Sequence, residues 1–233
     1  MQKTKVKSFK EYFEVIDALR LTNYEIILYR GQSANAPLLP SIARTNPIID
    51  TTEKEREMLA ELKRRTQLTI KTTLTTDWEW LVYAQHFGMK TRLLDWSSNP
   101  LAALWFACSA EHRLQQNSYV YIFTADNSLL INTKEKEDPF KIANTRILRP
   151  ALNNERIIAQ SGWFTAHRYS AKVGKFINLE MNKDLKQKLI RIEVPGSIKK
   201  EILKALSIFG VHSQSLFPDI GGICSHLNWM YTF

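Results

Sequence analysis

The side chains best suited to chemistry in this sequence are polar residues that stand beside aromatic ones at the ends of predicted helices and strands. Arginine grips phosphate oxygens through parallel hydrogen bonds, and aromatic rings pack against planar groups. The pattern therefore predicts a site for a polar, anionic ligand such as a nucleotide. The residues concerned are Arg30, Gln85, His86, Thr91, Arg92, Asp95, Gln160 and Asp219.

The sequence motifs of other common kinds of site are not recognisable. The eight glycines are scattered, so neither common phosphate-binding glycine loop is recognisable. No pair of cysteines or histidines has the spacing of zinc ligands, and we predict no metal site. Ser97 and Ser98 lack the context of a hydrolase nucleophile elbow.

The candidate residues cluster between positions 78 and 110, a segment that holds four of the six tryptophans. Two helix-like stretches flank a polar centre there. Asp77 suits the start of the first stretch and Gly88 its end. Pro100 suits the first turn of the second stretch, after Ser98 or Asn99 as the capping residue.

The polar centre contains Arg92 and Asp95, set three apart around two leucines. Buried charges need partners, so we predict that these two side chains are largely buried and hydrogen-bonded as a pair. Such a pair either links the two helices as a purely structural ion pair or belongs to the ligand site. Both interpretations stay open at the level of the sequence.

An apolar run from Glu25 to Gly31 predicts a buried strand that ends in a turn at the glycine. Arg30 would then lie at the carboxyl end of the strand, where sites in α/β proteins tend to lie. Gly31 would let the backbone turn sharply or approach a ligand. The alternative is a surface arginine beside an ordinary turn glycine.

The remaining pattern predicts a single compact α+β domain with a mixed or antiparallel central sheet flanked by helices. Residues 1–24 form an N-terminal helix that packs on a domain spanning 25–233, and residues 126–150 are a loop region with a charge cluster from Lys134 to Asp138. Predicted helices start at capping boxes Ser8–Glu11 and Thr52–Glu55, the second ending near Lys71, and others run from Ser197 to Phe209 and from about Ile223. Predicted strands cover 118–124, 189–195 and, interrupted by Gly162, 156–165.

Composition narrows the function classes. A hydrophobic fraction of 44% is ample for a folded core, and a formal charge of +9 favours an anionic partner. The basic flank from Lys183 to Lys204 makes nucleic acid one such partner. Two cysteines, no recognisable leader and no long apolar run predict a cytoplasmic protein without a membrane partner. The oligomeric state stays open.

Several motifs, in order, resemble the FRG domain family, named for a Phe/Tyr-Arg-Gly signature. The resemblance covers nearly the whole chain and implies a bacterial, phage-associated protein. The matching segments are Tyr29-Arg30-Gly31-Gln32, Leu39 to Arg44, Ala84 to Gly88, Thr91 to Ser97, Asn99 to Leu104, Arg156 to Thr165 and Leu216 to Asp219.

The strand that ends in Tyr29-Arg30-Gly31 is also similar to the first motif of ADP-ribosyltransferases. That resemblance implies NAD as cofactor, with Arg30 as the phosphate clamp and Tyr29 and Trp96 as walls around the nicotinamide. Gly31, Gln32 and Thr91 would complete the cofactor site. The late catalytic glutamate of those enzymes is missing, because Glu193 lacks the expected surroundings.

Two hypotheses of different classes follow. In the first, the protein is an NAD-using ADP-ribosyltransferase-like enzyme, or an NAD hydrolase, that acts as a toxin or phage-defence effector. Its catalytic residues would be drawn from Arg30, Gln85, His86, Arg92, Asp95 and Gln160. In the second, it is a non-catalytic binding module that recognises nucleic acid or a phage component through its basic surface.

Overall fold

A computed structural model describes residues 1–19, 21–70, 72–132 and 137–232. Most of the predicted charge cluster from Lys134 to Asp138 falls outside these ranges. The helix predicted to end near Lys71 ends earlier, at Arg65, so that boundary is wrong.

A seven-stranded sheet forms the centre of the described residues, with strand order β1-β9-β4-β2-β3-β6-β5. All neighbouring strands are antiparallel except β1 and β9, which are parallel. A two-stranded sheet joins β7 and β8. The strands are β1 (Gln2–Lys5), β2 (Ile26–Gln32), β3 (Leu93–Ser97), β4 (Ser118–Ala125), β5 (Arg146–Leu148), β6 (Gly162–Ala166), β7 (Tyr169–Ser170), β8 (Lys175–Phe176) and β9 (Leu189–Val194).

Helices cover the sheet, so the predicted α+β class with a mixed central sheet is confirmed. Within the described residues no helix has the length and apolar character needed to cross a membrane. The helices are α1 (Phe9–Leu19), α2 (Thr52–Arg65), α3 (Asp77–His86), α4 (Pro100–Cys108), α5 (Glu155–Ala159), α6 (Lys199–Ile208), α7 (Ser213–Leu216) and α8 (Ile220–Thr232).

The central strand β2 contributes to the core on both sides of the sheet. Successive strand residues point to opposite faces, so Tyr29 and Leu28 join different clusters. Tyr29 packs with the α4 residues Ala103 and Ala107, whereas Leu28 packs with Phe123 on the other side. Both faces of β2 are therefore covered by other elements, as an apolar run of this kind indicates.

Local signals set the start of α4 and the end of α3, whereas the start of α3 is capped by Thr76 instead of the predicted Asp77. Asn99 caps α4 by accepting hydrogen bonds from the backbone N–H groups of Leu101 and Ala102, and Pro100 occupies the first helical position. Gly88 follows α3 with a φ of +88°, the left-handed conformation that favours glycine at a helix end. These two predictions are confirmed.

Other predicted boundaries are wrong. The strand expected over residues 156–165 is the helix α5 followed by β6, because the Asn154 side chain caps the helix by accepting from the N–H of Arg156. β2 continues through Gly31, so no turn occurs there. Helix α6 starts at Lys199 without a side-chain cap, and α8 starts at Ile220.

Candidate functional site

A cavity of about 520 Å³ opens where β2 and β3 meet the helices α3, α4 and α5. Its volume lies within the range of small-molecule sites in proteins, about 300–1,000 Å³. Nine of the candidate residues line it: Tyr29, Arg30, Gly31, Gln32, Gln85, His86, Asp95, Trp96 and Gln160.

Arg30 is the most buried arginine of the cavity lining. Its Nη1 donates to the backbone carbonyl of Asp95 at 2.7 Å and lies 3.6 Å from the Asp95 Oδ2. Its Nε is buried and has no hydrogen-bond partner among the described residues. Burial lowers the pKa of the guanidinium, and the nearby carboxylate of Asp95 opposes that shift. Arg30 is thus held in place with one donor left over.

Asp95 differs from the prediction, because its side chain is 59% exposed and its partner is Arg30 instead of Arg92. Along β3 the two flanking residues on each side are buried and Asp95 alone is exposed, so its carboxylate lies on the open side of the strand. Gln85 Nε2 donates to its Oδ1 at 2.5 Å. The expected buried Arg92–Asp95 pair is therefore wrong.

Thr91 orients the amide that holds Asp95. Its hydroxyl donates to Gln85 Oε1, which leaves the Gln85 Nε2 to face the carboxylate. The Thr91 N–H donates to Ser41 Oγ at 3.1 Å, and the side chain is fully buried. Thr91 does not line the cavity and contacts it only through Gln85.

Arg92 lies outside the cavity and pairs with Glu55 of α2. Its Nε is 2.8 Å from Glu55 Oε2, and both side chains have no exposed surface. Its Nη1 also donates to the carbonyl of Pro139, and its guanidinium lies 4.5 Å from the centre of the Phe140 ring. Glu55 accepts from the Arg92 N–H as well, so its predicted capping role at the start of α2 is wrong.

Of the other polar candidates, His86 and Gln160 line the cavity and Asp219 does not. Gln160 donates from Nε2 to the carbonyl of Leu216 at 3.1 Å. The pKa of His86 is lowered by burial and by the charge of Arg156, with Asp219 opposing. Asp219 itself does not line this cavity but holds Arg156 at 2.7 Å.

Several lining residues were not selected from the sequence. Arg44 and Arg156 bring the number of arginines in the lining to three, against one carboxylate, and aromatic side chains form much of the rest. Both arginines lie in segments that resemble FRG-family motifs. Their positive charge within those motifs is the sequence signal that points to them. The unselected aromatic residues are Phe106, Trp163, Phe164 and Phe217.

The close packing of α4 on β2 requires glycine at position 31. A Cβ at this position would lie 1.9 Å from the carbonyl oxygen of Ala103 and 2.5 Å from the N of Ala107. Only glycine lets α4 lie this close to β2. That close approach also brings Ala103 and Phe106 of α4 into the lining of the cavity.

Among the described residues, no group of three histidine, cysteine, aspartate or glutamate side chains is arranged to hold a metal ion.

Fold and site together define an α+β domain with a cationic, aromatic-lined cavity of small-molecule size. The model of the FRG domain family matches residues 25–116. The match includes Arg30, Gln85, His86 and Asp95 and ends before Arg156 and Gln160. No curated protein and no solved structure matches the chain.

Proposed function

We propose that the cavity binds NAD and that the protein transfers or hydrolyses its ADP-ribosyl group, as a toxin or phage-defence effector. The observation that carries this proposal is the juxtaposition of Arg30 and Asp95 in one cavity. A guanidinium with a spare donor meets a half-exposed carboxylate there, beside aromatic walls.

The charge and lining of the cavity suit the two parts of a dinucleotide. Arg30, Arg44 and Arg156 give three positive charges against the single carboxylate of Asp95. Guanidinium groups bind pyrophosphate oxygens bidentately, and an unpaired buried donor such as Arg30 Nε gains a hydrogen bond when an anion arrives. Trp163 and Phe106 supply faces for a planar ring.

The chemistry requires a negative charge near the ribose carbon that carries nicotinamide. When the bond from that carbon to nicotinamide breaks, the ring nitrogen leaves with the bonding electron pair and positive charge builds on the sugar. The incoming oxygen of water or of an acceptor forms the new bond and loses its proton. Asp95 is the carboxylate positioned for both tasks, to stabilise the charge and to accept the proton.

In this proposal Asp95 takes the place of the late catalytic glutamate that ADP-ribosyltransferases use and that this sequence lacks. No described glutamate lines the cavity. Gln85 and Thr91 fix the Asp95 carboxylate through a chain of two hydrogen bonds, which is the kind of preorganised arrangement that catalysis uses. In this proposal Gln85 and Thr91 position the carboxylate, and Arg30 holds the phosphates.

The test compares the wild type with Arg30→Ala, Arg30→Lys and Asp95→Asn. We expect Arg30→Ala to raise the Kd for NAD at least about tenfold, and Arg30→Lys to fail as well because an ammonium lacks the planar fork. Asp95→Asn should retain NAD binding but release nicotinamide at least about 10²-fold more slowly. Calorimetry measures binding, and chromatography follows nicotinamide.

Arg64→Ala is the matched control, since Arg64 is 68% exposed on α2 and far from the lining. Melting curves of every variant separate loss of binding from loss of fold. If the folded wild type neither binds NAD nor releases nicotinamide with candidate acceptors present, the proposal is overturned.

The competing hypothesis of a nucleic-acid module is tested in parallel by filter binding at two salt concentrations. Two of the basic side chains between residues 183 and 204 already serve the fold. Lys199 is buried and donates to the carbonyl of Arg113, and Lys188 pairs with Asp126 at 2.8 Å. Steeply salt-dependent binding of nucleic acid without NAD binding would favour the module instead.

A further inference from the structure

A second cavity, of about 610 Å³, lies among the helices α4, α6, α7 and α8. It adjoins the NAD cavity, and the two share Arg156 and Phe217 in their linings. The Arg156 guanidinium lies 5.0 Å from the centre of the Phe217 ring and pairs with Asp219. The two cavities are therefore neighbours with a common wall, and most of the lining of each is its own.

Flat aromatic surfaces dominate one side of this second cavity. The rings of His212 and His226 stack at 3.8 Å with an interplanar angle of 9°. The ring of Trp229 continues the stack, 6.0 Å from His226 and inclined by 11°. Trp105 supplies a further indole to the lining, from α4. Because His212 and His226 cover each other's inner faces, a planar ligand can stack only on an outer face of this aromatic platform.

Positive charge lies on the rim. Lys200 and Lys204 are exposed and stand four residues apart on α6, so they lie on one face of the helix above the cavity. Arg156 adds a third cation, partly neutralised by Asp219. Glu111 is the other carboxylate of the lining, and it suits hydroxyl groups of a ligand better than a second anion. The combination fits a ring at the platform and an anion at the rim.

We propose that this cavity is a second ligand site that binds a nucleobase carrying a phosphate, as in a nucleoside monophosphate. The base stacks on an outer face of the aromatic platform formed by His212, His226 and Trp229, and the phosphate meets Lys200 and Lys204. The site does not depend on the NAD site for its ligand, so either proposal can fail without the other.

Tryptophan indole signals allow a test that distinguishes the two cavities. Trp105 and Trp229 line the second cavity, and Trp96 and Trp163 line the first. In ¹⁵N-labelled protein the six indole N–H signals can be assigned by single Trp→Phe variants. Titration with AMP should shift the signals of Trp105 and Trp229, with a Kd between about 10 µM and 1 mM. Adenosine alone and inorganic phosphate alone should each bind at least about tenfold more weakly.

Charge reversal at the rim sharpens the test. Lys204→Glu should raise the Kd for AMP at this site at least about tenfold, whereas Lys54→Glu, the same charge change at an exposed position of α2, should leave it unchanged. Lys204 is exposed, so its variant is expected to fold. The proposal is overturned if AMP shifts only Trp96 and Trp163, if no indole signal moves up to about 10 mM AMP, or if Lys204→Glu binds as well as the wild type.

Discussion

Two arginine–carboxylate pairs each have one member in or next to β3, and they differ in burial and in the separation of their charges. Arg92 and Glu55 are completely buried, 2.8 Å apart, and each also bonds to backbone or ring partners. Arg30 and Asp95 approach only to 3.6 Å between charged atoms, and Asp95 is 59% exposed. Each pair leaves one buried guanidinium nitrogen without a hydrogen-bond partner among the described residues, Arg92 Nη2 in the first and Arg30 Nε in the second. Only the second pair also presents an exposed carboxylate to a cavity.

The comparison shows that chemical type alone does not separate an architectural pair from a candidate site. A buried pair tolerates no loss of a partner, because the remaining charge is stranded in a medium that solvates it poorly. A half-exposed pair loses little when one partner is removed, because water replaces it. Stability measurements should therefore distinguish the two pairs, and the four variants below test that distinction from the largest expected effect to the smallest.

Glu55→Ala should give the largest loss. The substitution leaves the fully buried Arg92 without its carboxylate partner, and we expect the free energy of unfolding to fall by about 3–5 kcal/mol. Urea denaturation measures it, with Glu57→Ala on the exposed side of α2 as the control, expected to change stability by less than about 0.5 kcal/mol. A loss below about 1 kcal/mol for Glu55→Ala would mean that the buried pair is not architectural.

Gly31→Ala should be the next most damaging change, although Gly31 stands beside Arg30 in the cavity. The new methyl group would collide with the backbone of α4, and forcing the helix away should cost about 1–3 kcal/mol or more. Gly162→Ala is the matched control in β6, since a Cβ there meets Ile157 at an ordinary 3.6 Å. Equal stability of the two variants would show that α4 does not need its close approach to β2.

His167 interacts with one arginine of each pair and should make stability depend on pH. Its N–H donates to the carbonyl of Arg92, and burial, followed by the charge of Arg30, lowers its pKa to about 3. Because the unfolded state binds a proton at about pH 6.5, its contribution is complete above that pH. It should be lost at about 1.4 kcal/mol per pH unit as pH falls toward 3.

His167→Gln removes this titrating group, so its stability should fall less steeply with acid than that of the wild type. Denaturation between about pH 7 and pH 4 measures both slopes. The variant His112→Gln makes the same substitution at an exposed position and serves as the control. Parallel curves for wild type and His167→Gln would contradict the buried, neutral histidine.

Asp95→Asn should have the smallest effect on stability. The side chain is more than half exposed, so removing its charge should change the free energy of unfolding by no more than about 1 kcal/mol. The same variant is expected to be strongly impaired in nicotinamide release, and that contrast separates a site residue from an architectural one. A loss above about 2 kcal/mol would place Asp95 with the buried pair instead.

Local sequence determined much of the frame that carries the site. The apolar run of β2, the Asn99 cap with Pro100, and the positive φ of Gly88 all follow from residue chemistry within a few positions. The sequence also pointed to Arg30, Gln85 and Asp95, which the structure brings together in one cavity. These signals were sufficient because each depends on neighbours close in the chain.

Tertiary structure decided which charges pair and which stay open. Arg92 and Asp95 are three residues apart in sequence, yet Arg92 pairs with Glu55, 37 residues earlier, and Asp95 with Arg30, 65 residues earlier. The second cavity depends likewise on how α4, α6, α7 and α8 pack. The face of the sheet that a side chain meets, and the helix that covers that face, are set by long-range packing. Spacing along the chain cannot fix either one, because the free energy of burying a charge depends on the partner it finds there.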